Sequence, residues 1–89
     1  SAQFQPLRVV VPEYPELAFE RDIQGLVRLE ADVGISGKVL DVRVLESVDG
    51  GLALSASRAL LLWEFQPFVV GGRPRPFRIV VPFRFRIEG

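Results

Sequence analysis

Phe77-Arg78-Ile79-Val80-Val81-Pro82-Phe83-Arg84-Phe85-Arg86-Ile87 decides the fold. Phe77, Ile79, Val81, Phe83, Phe85 and Ile87 alternate with Arg78, Val80, Pro82, Arg84 and Arg86, the period-two pattern of a strand with one face on a core and the other in water. At about 3.3 Å per residue the run extends roughly 35 Å. Pro82, in its middle, restricts where the strand can sit. Proline has no N–H to give a ladder, so the strand belongs at a sheet edge with the proline nitrogen outward, or carries a bulge there.

Moving towards the N-terminus, Phe65-Gln66-Pro67-Phe68-Val69-Val70, then Gly71-Gly72, then Arg73-Pro74-Arg75-Pro76 read as a short extended segment, a turn and a stiff lead into the last strand. Before them, Leu52, Ala56, Ala59, Leu60 and Trp63 recur at helical spacing after an Asp49-Gly50-Gly51 turn, which predicts a helix from Leu52 to Trp63 with Trp63 turned into the core. Residues 26–46 carry two more alternating runs around Gly34-Ile35-Ser36-Gly37. Val27, Leu29, Ala31 and Val33 oppose Arg28, Glu30 and Asp32, and Leu40, Val42 and Val44 oppose Asp41 and Arg43, so the segment predicts a β-hairpin. Pro15 suits a first helical position and opens a predicted two-turn helix ending near Gly25, preceded by an extended Val9-to-Pro15 segment.

The order helix, strand, strand, helix, strand predicts an α+β domain: a small antiparallel sheet of three main strands, with room for a short fourth, and two helices packed on one face. The last strand should lie beside the first or the second strand of the hairpin. Residues 1–11 read as an N-terminal extended segment, the end of a linker, and residues 12–89 as the domain. At 89 residues and 9.9 kDa the chain holds one core.

The 48% hydrophobic and 25% charged composition is that of a folded domain, and the chain has no His, Cys or Met. Those absences remove the commonest general base, the thiol nucleophile and every soft metal ligand. Glu30, Asp32 and Asp41 sit at wet strand positions rather than in a pocket, the serines have no histidine to activate them, and the paired glycines lack the lysine of a phosphate loop. No enzyme activity and no cofactor are expected. The net charge is zero, but residues 71–89 hold five arginines against one acid. That local strip is too small for strong nucleic-acid or lipid affinity and points instead to a local contact.

The edge strand itself is the main functional feature. An extended peptide can add to it as a further strand, backbone bonds giving affinity and flanking side chains giving selectivity. The arginines also suit a simpler role, blocking edge-to-edge aggregation. Four or five added backbone bonds at about 0.5–1.5 kcal/mol each barely offset an association cost of roughly 4–15 kcal/mol, so a specific partner needs further contacts. Tyr14 and Pro15 are the candidates for a second anchor.

Pro12-Glu13-Tyr14-Pro15, Ile23-Gln24-Gly25-Leu26-Val27, Gly37-Lys38-Val39 with Asp41-Val42, Trp63-Glu64-Phe65-Gln66-Pro67 and Val81-Pro82-Phe83-Arg84-Phe85 occur in an order that resembles the C-terminal domain of the TonB family over residues 12–87. The resemblance implies a periplasmic domain of a Gram-negative cell envelope, anchored to the inner membrane through an N-terminal segment absent from this chain. It implies that the TonB box of an outer-membrane transporter adds as a strand along Phe77 to Ile87, and that proton-motive force from an ExbB/ExbD-type complex is transmitted for uptake of iron complexes or cobalamin. Carried over by position, the partner-binding residues are Tyr14, Pro15, Phe77, Arg78, Val80, Pro82, Arg84 and Arg86. Two positions depart from the pattern: Val11 stands where well-known members are polar, and Pro82 removes a donor from the receiving strand. The alternative expectation is a non-transducing envelope scaffold of the same fold that pairs with itself, as a strand-paired homodimer, or with another envelope protein.

Overall fold

The computed structural model describes residues 4–88. Its elements in chain order are β1 (Pro6–Arg8), α1 (Glu16–Glu20), β2 (Gly25–Val33), β3 (Val39–Ser47), α2 (Gly50–Leu61), β4 (Glu64–Phe65), β5 (Phe68–Val70), β6 (Arg73–Arg75) and β7 (Phe77–Phe85). The hairpin and the long last strand form, the last strand ending at Phe85 rather than Ile87, and they build one antiparallel sheet in the order β3-β2-β7. The apolar face expected of β3 is broken, Leu40 and Val44 being exposed on this bulged strand. β7 lies beside the first hairpin strand. Val27, Leu29, Ala31 and Val33 of β2 and Val81, Phe83 and Phe85 of β7 are buried on one face of this sheet. Leu52, Ala56, Ala59 and Leu60 of α2 close over that face, and Ala18 of α1 completes the cluster.

Both helices differ in extent from the periodicity reading. The predicted two-turn helix to Gly25 is only Glu16–Glu20, because Asp22 takes a left-handed conformation at φ 56° and stops it. The Ile23 N–H then bonds Ala18 O (2.8 Å) and the Asp22 N–H bonds Phe19 O (3.2 Å), the paired closure of a Schellman motif. In contrast, α2 begins at Gly50 rather than Leu52. Asp49 Oδ2 accepts from the N–H groups of Gly51 (2.8 Å) and Leu52 (3.1 Å), so the two glycines are drawn into a capped first turn.

Two small ribbons complete the fold. β1 pairs with β4, and β5 with β6 across Gly71-Gly72, both glycines at positive φ. Residues 6–8, read from sequence as part of an extended lead, are therefore paired with Glu64–Phe65. The β4 strand is clamped to the hairpin end by a bond from Phe65 N–H to Gly37 O (2.7 Å), with Gly37 at φ 87°. A Cβ at Gly37 would lie 1.9 Å from Phe65 O, so only glycine permits this approach.

The core face of β7 carries an aromatic row that ties these pieces together. Phe77 meets Phe4, Phe65 and Phe68 at ring-centroid distances of 4.6, 5.7 and 6.1 Å, Phe83 meets Trp63 at 5.6 Å, and Phe85 meets Tyr14 at 5.4 Å. Trp63, expected in the core, is half-buried. Its ring packs on this row while its Nε1–H donates to Val10 O (2.9 Å), strapping the extended N-terminal segment across α2.

Candidate functional site

The three-stranded sheet has two free edges, β3 and β7, and they are not equivalent. The pairing of β2 with β3 skips Leu45 and Leu40, so β3 is bulged near both ends. Bulges of this kind turn an edge away from further pairing. β7 instead pairs with β2 through nine consecutive residues, Phe77 to Phe85, without a register shift. It is the long regular edge.

Which backbone groups β7 offers outward follows from alternation. In an antiparallel ladder each residue turns its N–H and C=O to one neighbour and the next residue turns to the other side. Gly34 donates to Lys38 O (2.9 Å), so even-numbered residues of β2 face β3 and odd-numbered residues face β7. Their partners, from Val33↔Phe77 to Gly25↔Phe85, are the odd residues of β7. The Ile87 N–H, bonded to Gln24 Oε1 at 2.9 Å, continues the same sense. Arg78, Val80, Pro82 and Arg84 therefore present their backbone groups to the open side, and the Pro82 nitrogen is the one position there with no hydrogen to give. The unbroken register past Arg28↔Pro82 agrees, since a proline turned inward would cost the ladder a bond.

The wet face of the sheet is charged and partly neutralised. Arg43 of β3 binds Glu30 through Nε (3.0 Å), and through Nη1 both Asp32 (3.0 Å) and Asp41 (2.8 Å). Arg78 of β7 reaches Asp32 at 2.8 Å and Glu30 at 3.9 Å. Hydrogen bonds from Arg43 first, and from Arg78 second, hold the Asp32 carboxyl down to about 2, well below the ordinary range. The same bonds raise the pKa of both arginines, Asp32 being the largest cause in each. Arg28 pairs with Glu46 at 3.1 Å. Among the described residues Arg84 and Arg86 make no ion pair, although both are exposed.

The proposed site residues thus separate into groups. Arg78, Val80, Pro82 and Arg84 line the open edge, with Arg86 just beyond the strand end, whereas Phe77 points into the aromatic row. Tyr14 comes to the C-terminal end of β7, but from the core side. Its ring stands edge-on to Phe85 (5.4 Å) and to Phe19 (5.9 Å), and its hydroxyl donates to Ile23 O. Burial, and then the Asp22 carboxylate, raise its pKa. Pro15 caps α1 and, with Tyr14, Val11, Leu54, Arg58 and Leu62, lines an open groove of about 640 Å³ between the N-terminal strap and α2. Sequence reasoning missed the Arg43 hub, the β3 bulges and the Trp63–Val10 strap. The opposite charges of Glu30 and Arg43 at facing hairpin positions were the available signal for the first.

Comparison with known proteins bears on the family and the fold. Residues 10–87 match the family described as Gram-negative bacterial TonB protein C-terminal. The chain is 38% identical over 82 residues to Protein TonB of Vibrio cholerae, covering 90% of this chain and 33% of that protein. It is 33% identical over 89 residues to Protein TonB of Pseudomonas aeruginosa, covering 99% of this chain and 26% of that one. It therefore spans about a quarter to a third of the relatives' length. The solution NMR structure of the Pseudomonas aeruginosa TonB CTD superposes with a TM-score of 0.81 at 32% identity, covering 100% of this chain and 91% of that one. With a family match over nearly all of its length and a shared fold, the chain belongs to the family of Gram-negative TonB protein C-terminal domains.

Proposed function

We propose that this domain is the periplasmic, partner-capturing end of a TonB-like energy transducer. It binds the TonB box of an outer-membrane transporter by adding the peptide as a strand along the open edge of β7. The rest of the longer protein supplies the inner-membrane anchor and the contact with an ExbB/ExbD-type complex, and proton-motive force reaches the transporter through the captured peptide to drive uptake of an iron complex or cobalamin. The observation that carries this reading is the register of β7, unshifted over nine residues on β2, which leaves its outer side as a long edge in a member of this family, opposite a β3 edge guarded by bulges. No described helix is long and apolar enough to cross a membrane.

The test is an NMR titration of the ¹⁵N-labelled domain with short peptides that copy transporter box sequences. Saturable amide shifts concentrated in Phe77 to Ile87 and near Tyr14 are expected. A monomeric domain whose β7 amides ignore every peptide refutes strand addition here. The same open edge favours one second reading, an envelope scaffold that pairs β7 with β7 of another copy. Sedimentation across concentration separates the two, since a stable dimer that hides β7 supports the scaffold.

A further inference from the structure

We propose, resting on the strand-addition reading above, that β7 is a divided edge: the partner peptide pairs with its C-terminal half, Phe83 to Arg86, and carries a carboxylate on the wet face against Arg84 and Arg86. Pro82 makes the division. Its ring occupies the place where its neighbours present a hydrogen, so one carbonyl of an added strand finds no donor and the strand is held off at that point. The edge then offers two short pairing stretches, Arg78 with Val80 on one side and Arg84 with the succeeding Arg86 on the other.

The two halves differ in charge. Beside the first, Arg78 is already engaged by Asp32 at 2.8 Å and lies near Glu30, which Arg43 also binds, so the strand's own cation there is taken before an acid arrives. The exposed Arg73 and Arg75 belong to the separate β5-β6 ribbon. Beside the second, Arg84 sits opposite Leu26, which brings no carboxylate, and Arg28 opposite Pro82 is engaged by Glu46. Glu88, the one acid of the C-terminal segment, pairs with neither Arg84 nor Arg86 among the described residues. Two exposed cations, Arg84 on the partner-facing strand and Arg86 just past its end, next to an intact backbone donor select an acidic extended peptide. With its own arginine already bound by Asp32, the first half offers the same peptide no free cation on the strand and so does not favour sliding along the edge.

The experiment uses a β-branched peptide of about seven residues bearing one Glu, with Gln and Lys versions, followed by amide shifts and hydrogen exchange in the isolated domain. The Glu peptide should protect the Arg84 and Arg86 amides and leave those of Arg78 and Val80 little changed, with the Gln version about threefold weaker and the Lys version weaker still. Arg84→Glu with Arg86→Glu should invert that order. Pro82→Val restores the missing donor, and should extend protection to Val80 and Arg78 and tighten binding about two- to tenfold. Binding with all four amides equally protected in the wild type, affinity indifferent to peptide charge, or Pro82→Val without extended protection would overturn the divided edge while leaving strand addition intact. No response of any β7 amide would remove both.

Discussion

Gly37→Ala tests the clamp that seats β4, and with it the lower end of the aromatic row. The new Cβ would stand 1.9 Å from Phe65 O, so the carbonyl must retreat by about 1.1 Å to reach even the 3.0 Å limit (3.0 − 1.9). That retreat breaks the 2.7 Å bond from Phe65 N–H to Gly37 O, at about 1 kcal/mol. It lifts Phe65, 2% exposed, partly off Trp63 and Phe77, a further loss of roughly 1–2 kcal/mol. A side chain at φ 87° adds about 1–2 kcal/mol of backbone strain. The sum, about 3–5 kcal/mol, is a large part of the roughly 4–13 kcal/mol expected for 89 residues. Urea unfolding followed by Trp63 fluorescence measures it. Gly71→Ala is the control, because Gly71 has positive φ but nothing within 4 Å of its missing Cβ, and strain alone, about 1–2 kcal/mol, should appear. Equal losses in the two variants would refute the steric argument.

Asp49→Ala removes the cap from α2 and should lower stability by about 0.5–2 kcal/mol in the same urea assay, with Asp49→Asn or Asp49→Ser recovering most of it. Asp22→Gly relieves the left-handed residue that ends α1 and should raise stability by about 0.5–1 kcal/mol; a loss would mean that the Gln24–Asp22 side-chain bond matters more than the strain. Asp32 is held down to about 2 in the folded chain against about 3.9 unfolded. The folded state then binds fewer protons, so its contribution is fully present above about pH 4 and is lost as pH falls towards 2. Urea midpoints across that window should fall for the wild type and flatten for Asp32→Asn. An equally steep fall in Asp32→Asn would place the acid sensitivity elsewhere.

The parts of the fold that were legible in the sequence are those with a sustained period. Phe77 to Phe85, Val27 to Val33 and Leu52 to Leu60 each repeat a burial pattern that one geometry satisfies, and each forms where its period places it. What escaped had no period or depended on a distant partner. β1, β4, β5 and β6 run two or three residues, too short to alternate; the extended Phe65 to Val70 and the Gly71-Gly72 turn were legible, but the pairing of β5 with β6 and of β1 with β4 was not. The end of α1 turned on one aspartate adopting a conformation that glycine usually supplies, and Gly25, the expected stop, instead opens β2. The candidate edge was legible as an edge because Pro82 cannot serve an interior ladder. That its nitrogen faces outward required the hydrogen-bond sense of Gly34 and Ile87, which no spacing encodes.

β7 meets two sets of demands with two sets of residues. Its odd positions carry the aromatic row, so a change there disturbs the contacts of Trp63, of Phe65 on β4 and of Tyr14 in the N-terminal strap together. Its even positions turn their side chains to water and their backbone to the open edge, and touch the core nowhere. Substitutions at Val80, Pro82 or Arg84 can therefore alter what pairs with the strand while leaving the packing that holds it straight. On the strand-addition proposal, an edge ordered before a partner arrives would spare the complex the entropy of ordering that strand on binding. The bulges on β3 have the opposite effect, removing a competing edge from the same sheet. On that proposal, selectivity for one edge would come from what β3 lacks as much as from what β7 offers.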